Sequence, residues 1–234
     1  PQIERTAAGG FVAAQAGDPR SEALPRADGK HRKHEEQNRW MKTTVVIPNY
    51  NGKHFLQDCL DSLFQSTVEI AVIVVDNGSA DGSVSWIQEH FPQVKLICFS
   101  ENKGFCTAVN TGIEAAATPY VFLLNNDTKT DRFCLERLER AMEADEKIFS
   151  VGAKMLSMKE PELVDTAGDL YSAFGWAYAI GKGRTSSNYT APKRVFSNCA
   201  GAALYRKAHL EQIGGFDELH FAYLEDVDIG YRAQ

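Results

Sequence analysis

The sequence predicts an α/β fold, a Rossmann-like, mostly parallel sheet flanked by helices, with a small mixed β region in its C-terminal half. Three observations predict it. Short apolar or β-branched runs alternate with stretches whose apolar residues recur at helical spacing. The runs are apolar throughout rather than at every second residue, as in strands covered on both faces. Polar residues gather directly after each run, where open parallel sheets hold their ligands.

Taken in order, the first run is Thr43–Ile47, which Pro48 is expected to stop because proline cannot donate to a ladder. Phe55, Leu56, Cys59, Leu60, Leu63 and Phe64 then follow helical spacing. Ile70–Val75 is a continuous apolar strand, a helix is expected over Asp81–His90, and Val94–Phe99 is the third strand. Phe105, Ala108, Val109, Gly112, Ile113 and Ala116 mark another helix, Tyr120–Leu124 the fourth strand, and Leu135, Leu138 and Met142 the helix after it. Strand and helix in alternation imply right-handed crossovers between parallel strands. Beyond residue 150 the pattern is less regular. Short strands are expected near Val164–Tyr171 and Ala200–Tyr205, and a helix over Lys207–Ile213 with a left-handed cap at Gly214–Gly215.

Residues 1–40 show no sustained periodicity and end in the polar stretch Lys30–Arg39. Such a segment buries too little apolar surface to offset its ordering entropy. It is expected to be a disordered or non-native extension, with Met41 as the natural start and residues 41–234 as one domain.

At 234 residues, 44% hydrophobic and 24% charged, the chain has the composition of a soluble globular domain. A net charge of -6 argues against nucleic acid as a partner. No apolar run approaches the roughly 18 residues of a spanning helix, and no secretory signal opens the chain. The five cysteines are odd in number, scattered and without CxxC spacing, so they read as apolar thiols in a reducing compartment. A cytoplasmic protein is expected.

Three segments carry chemistry. In Val75-Asp76-Asn77-Gly78-Ser79, a buried strand ends in an acid followed by a turn. Asp76 suits the imide N–H of a uracil or thymine ring, and the turn amides suit phosphate; alternatively, Asn77-Gly78 is only a turn and Asp81 a helix cap. In Leu124-Asn125-Asn126-Asp127, a carboxylate after a strand suits a hard divalent cation completed by substrate phosphates, or a strand-ending Asx turn. In Glu225-Asp226-Val227-Asp228, acids at a helix start complement its dipole, and Asp228 pairs with Arg232 at i,i+4. Clustered carboxylates also raise one another's pKa, readying one as a general base.

In this order the segments resemble the family 2 inverting glycosyltransferases of the GT-A fold, nearest the bacterial rhamnosyltransferase-like branch that builds cell-surface polysaccharide. The matching pieces are Val45–Gly52, Val75–Ser79, Asn102-Lys103-Gly104-Phe105 with Asn110 and Gly112, Leu124–Asp127, Gly201–Leu204 with Gly214–Asp217, and Glu225–Asp228 with Arg232. The resemblance implies transfer of a hexosyl or rhamnosyl group from a nucleoside-diphosphate-sugar donor to a glycan or lipid-linked acceptor, aided by Mn²⁺ or Mg²⁺. Pro48 and Tyr50 would flank the base, and Asp76 would hold its imide. Asn77, Ser79, Asn102 and Gly104 would line the nucleotide pocket. Asn125, Asn126 and Asp127 would occupy the DXD-type position, with Asp127 as metal ligand. Asp226, paired with Glu225, would be the catalytic base.

Two departures stand out: Asn125 replaces the first acid of the metal motif, and the chain stops at Gln234, just past the base motif. Relatives continue there, so truncation is expected, with any peripheral membrane association expected through the missing C-terminus. Tyr171, Trp176 and Tyr178 are expected in the core rather than stacked on a sugar, and Lys103 is expected in solvent. Two competitors are a nucleotidyltransferase, for which the Asn49–Gly52 turn offers only Lys53, and a non-catalytic nucleotide-binding scaffold.

Overall fold

The computed structural model describes the backbone of Gly10–Val12 and residues 41–234. The regular half runs β2 (Thr43–Asn49), α1 (Lys53–Leu63), β3 (Ile70–Asp76), α2 (Ser83–His90), β4 (Lys95–Cys98), α3 (Phe105–Ala115) and β5 (Tyr120–Leu124). Among the described residues these strands join β12 (Ala202–Arg206) and β7 (Ser150–Gly152) in one six-stranded sheet, ordered β4-β3-β2-β5-β12-β7. β2 to β5 are parallel, and β12 runs antiparallel to both β5 and β7.

Alternation along the strands gives the sheet two apolar faces. Val45, Ile47, Val74, Phe122 and Leu124 bury against α1, α2 and α4 (Cys134–Glu143). Val46, Val75, Val121 and Leu123 bury against α3, α5 (Lys207–Ile213) and Ile229 of α6 (Glu225–Arg232). The continuous apolar runs therefore have the cause inferred from sequence, a sheet covered on both sides.

Pro48 does not end its strand. β2 continues through Pro48 to Asn49, in register with Val75 and Asp76 of β3. The Asn49 carbonyl accepts from the Asn77 N–H on the β3 side, so Pro48, one residue earlier, turns its missing donor toward β5. Pairing with β5 stops at Val46–Leu123, so no ladder bond is lost. The chain winds outward from β2 to β3 and β4, then returns to the other side of β2 as β5. The topological switch point lies between β2 and β5, and their parting opens a crevice at the carboxyl ends.

Helix α2 starts at Ser83 rather than Asp81, because Gly82 sits at φ 79° outside helical space. Asp81 still holds the entry, with Oδ1 accepting from the Ser83 N–H at 3.0 Å. α5 ends at Gly214 and Gly215, φ 85° and 71°, the left-handed cap expected from sequence. The expected strand Val164–Tyr171 is split at Gly168, φ 99°, into β9 (Val164–Thr166) and β10 (Asp169–Tyr171). β10 forms a hairpin with β11 (Ala177–Ala179). A second sheet, ordered β6-β1-β8-β9, joins β6 (Thr128–Thr130), β1 (Gly10–Val12), β8 (Met155–Ser157) and β9. Apart from the β1 backbone, the expectation for residues 1–40 lies outside the described residues.

All five cysteines are free, with Cys59, Cys106 and Cys134 buried. Among the described residues no helix is long and apolar enough to cross a membrane. Tyr171, Trp176 and Tyr178 are exposed, not in the core. They stand on the β10–β11 hairpin, which among the described residues pairs with the rest of the fold only through the Asp169–Ser197 bridge at its base.

Candidate active site

The carboxyl ends of β2 and β3 are tied by one polar network. Asp76 Oδ1 accepts from Asn49 Nδ2 at 2.8 Å, and Asp76 Oδ2 from the Ser79 N–H at 2.9 Å. Asn49 Nδ2 also reaches Ser83 Oγ at 3.0 Å. Asp76 is only 2% exposed, so its first duty is to hold the floor of the crevice and the turn above it. Ser79 Oγ accepts from the Asn51 N–H at 2.9 Å, joining the two turns. Tyr50 is half exposed beside them, and Pro48 is half-buried.

Asn77 ties this floor to the next loop. Its Nδ2 donates to the Gly104 carbonyl and its Oδ1 accepts from the Lys103 N–H, both at 2.8 Å. Asn102 Oδ1 accepts from the Gly104 N–H at 2.9 Å. Gly104 sits at φ 90°, where a Cβ would meet the Phe221 carbonyl at 2.8 Å, so backbone geometry and space both demand glycine. The Lys103 ammonium lies 4.9 Å from the centroid of the Phe99 ring.

β5 ends in the turn Asn125–Asp127. Thr128 Oγ1 donates to the Asn125 carbonyl at 2.7 Å, fixing the turn. Asn126 Nδ2 crosses the switch point to Asn49 Oδ1 at 2.8 Å, and the approach is so close that a Cβ on Gly52 would collide with the Asn126 amide. Among the described residues no three His, Cys, Asp or Glu side chains gather as a metal cage. The turn instead offers the half-buried carboxylate of Asp127 with the carboxamide oxygens of its neighbours. This donor set fits Mg²⁺ or Mn²⁺ shared with substrate phosphates, and does not fit a cation held by protein alone.

Asp226 lies in the first turn of α6, entered through two successive left-handed residues, Tyr223 at φ 75° and Leu224 at φ 64°. Such residues store backbone strain of about 1–3 kcal/mol each. Asp226 Oδ1 accepts from the Val227 N–H at 2.8 Å, and the nearby Ala200 N–H and Cys199 thiol also favour its ionised form. Burial pushes the Cys199 thiol up to about 12, so it stays a donor near neutrality. Burial also raises the Asp226 carboxyl above the usual range, against the pull of these groups. Glu225 is raised by burial as well, with Asp226 a lesser contributor, and its Oε2 is buried with no hydrogen-bond partner. Desolvation, more than the mutual repulsion anticipated from sequence, therefore raises these acids. Asp228 makes the expected pair with Arg232 at 2.7 Å.

The three segments meet. From Asp76 the path runs through Asn49 to Asn126, and from Asn125, whose N–H donates to the Gly201 carbonyl at 2.9 Å, to Ala200, Cys199 and Asp226. Sequence singled out neither Asn49 as the hub nor Asp169 as a neighbour of Asp226. Asn49 had a signal, a buried carboxamide ending an apolar strand. Asp169 had none, because its partner is brought to it by tertiary folding alone. Burial, then the Asp226 charge, pushes the Asp169 carboxyl up to about 7, and its Oδ2 is buried without a partner.

Comparison with known proteins agrees with this geometry. Residues 44–214 match glycosyl transferase family 2. The N-acetylglucosaminyl-diphospho-decaprenol L-rhamnosyltransferase of Mycobacterium tuberculosis is 26% identical over 214 residues, 80% of this chain and 69% of its own. Two solved structures share the fold. The Pyrobaculum calidifontis mannosyltransferase PcManGT, in complex with GDP-Man and Mn²⁺, has a TM-score of 0.55 at 19% identity, covering 76% of this chain and 48% of its own. S. aureus TarS 1-349, in complex with UDP, has a TM-score of 0.61 at 18% identity, covering 82% and 55%. The chain thus spans about half the length of these solved relatives. With a Rossmann-like sheet, its crevice at the strand carboxyl ends and the family match over most of its length, the chain belongs to the family 2 glycosyltransferases and has the GT-A fold.

Proposed function

We propose that this chain transfers a sugar from a nucleoside-diphosphate-sugar donor to a hydroxyl of a glycan or lipid-linked acceptor, with inversion, in cell-surface polysaccharide synthesis at the inner face of the plasma membrane. The observation that carries it is the tying together of the Asp76, Asn125–Asp127 and Gly201 loops across the switch point, with Asp226 beside Ala200 and Cys199. The base and ribose would lie over Pro48, Tyr50, Asn77, Ser79 and Asn102, and the diphosphate toward Asn125–Asp127. Asp76 would read the base imide with the acceptor capacity of its Oδ2 left beyond the Ser79 bond. Asp127, with Asn125 and Asn126, would hold a divalent cation, which supplies Lewis-acid stabilisation of the leaving diphosphate.

Asp226 performs the proton transfer. Its carboxylate takes the proton of the acceptor hydroxyl as that oxygen bonds to the anomeric carbon. The bond from that carbon to the diphosphate oxygen breaks, and the nucleoside diphosphate leaves with the electron pair. The Val227 N–H orients the carboxylate, while burial keeps it basic enough to accept a proton. Glu225 lies beside it. A panel of nucleoside-diphosphate sugars with Mn²⁺, scored by released nucleoside diphosphate and by the anomeric configuration of the product, tests this. One donor turned over with inversion supports the proposal. Retention, or turnover of nucleoside triphosphates alone, contradicts it.

A further inference from the structure

The β10–β11 hairpin leaves the domain at the rim that carries Asp226. At its base the Asp169 N–H donates to the Ser197 carbonyl at 2.9 Å, and Tyr171 stacks on Phe196 at 5.1 Å. Beyond that base its apolar side chains are largely exposed among the described residues. Phe174, at the tip, is 90% exposed and Trp176 66%, with Leu170, Tyr171 and Tyr178 exposed beside them. A contiguous group of this kind marks a docking surface.

Charge indicates what docks. From Leu170 to Val195 the chain has no Asp or Glu, yet carries Lys182, Arg184, Lys193 and Arg194, all exposed, in a protein of net charge -6. Lys182 makes a loose surface pair with Asp165 at 3.5 Å. Lys193 and Arg194 lie three and two residues before Phe196, against which the hairpin stacks. The other exposed apolar loop on this rim, around Leu219 and Phe221, sits among Asp217, Glu218 and Glu225 and lacks this complement. Cations without acids gain little from a neutral glycan but much from anionic headgroups.

We propose that the β10–β11 hairpin and the Lys193–Arg194 segment dock this protein onto an anionic lipid bilayer, with the aromatic tip in the interface and the cations against the headgroups. The docking does not depend on sugar transfer, since it requires no donor. If both hold, docking sets Asp226 beside the bilayer, where a lipid-linked acceptor presents its hydroxyl.

Cosedimentation of the purified chain with phosphatidylcholine vesicles, and with phosphatidylcholine–phosphatidylglycerol vesicles, tests the surface. Binding to the anionic vesicles alone, weakening as salt rises, is expected. The double variant Phe174→Ser/Trp176→Ser and the charge reversal Lys193→Glu/Arg194→Glu should each bind at least about tenfold more weakly, with melting temperatures unchanged because every substituted side chain is exposed. No uptake by anionic vesicles, equal uptake by neutral ones, or uptake unchanged in both variants overturns the proposal. So does self-association abolished by the aromatic variant without vesicle uptake, which would assign the patch to a second copy of the chain.

Discussion

Asp169 and Asp226 are two half-buried carboxyls that feel one another's charge, and the pair cannot carry two negative charges cheaply. Asp169 titrates near 7 in the folded state against an ordinary 3.8, so folding favours its protonated form. Its contribution to stability is therefore intact below about pH 3.8, shrinks as pH rises toward 7, and is lost above it. Asp169→Asn keeps the shape and removes the charge. The variant should melt about 2–4 °C above the parent at pH 8, with the gap narrowing toward pH 4; a gap independent of pH would show that Asp169 is ionised throughout. At this scale sequence reached Asp76, Asp127 and Asp226 because each follows a strand or opens a helix, a local pattern. It missed Asp169, whose environment is made by residues distant in the chain.

Among the elements, α3 lies on β2 through Gly112, where an added Cβ would collide with the methyl groups of Val46 at the centre of the sheet. Two effects compete in Gly112→Ala. Helix propensity favours alanine by about 1 kcal/mol, while overpacking costs about 1–3 kcal/mol. Val46 is fully buried between neighbouring strands and has nowhere to retreat, so overpacking should win. A lower urea midpoint at unchanged slope is expected, and an unchanged or higher midpoint would show that α3 shifts freely. Apart from β6, the strands and helices of residues 43–143 were legible because burial on both sheet faces writes itself as continuous apolar runs. The short strands β6, β7, β8 and β11 were not, since three residues carry no period. Pro48 misled because its effect depends on which neighbour its missing donor faces, a fact of sheet order rather than of sequence.

At the scale of the whole molecule, the switch point between β2 and β5 turns separate loops into one crevice. In the proposed function Asp127 would hold the cation that steadies the diphosphate. Asp127→Ala should leave metal-free nucleotide affinity unchanged while abolishing most of the gain from Mn²⁺, about tenfold or more in Kd by calorimetric titration. Equal Mn²⁺ enhancement in parent and variant would move the cation elsewhere.

In the proposed function Asp226 is the base at the rim of the donor site. Its most direct test is the turnover of Asp226→Asn beside its donor affinity. The variant's kcat, read as released nucleoside diphosphate, should fall about 10²–10⁴-fold while its donor Kd stays within about twofold. Turnover that survives the substitution, or donor binding that vanishes with it, would contradict the account.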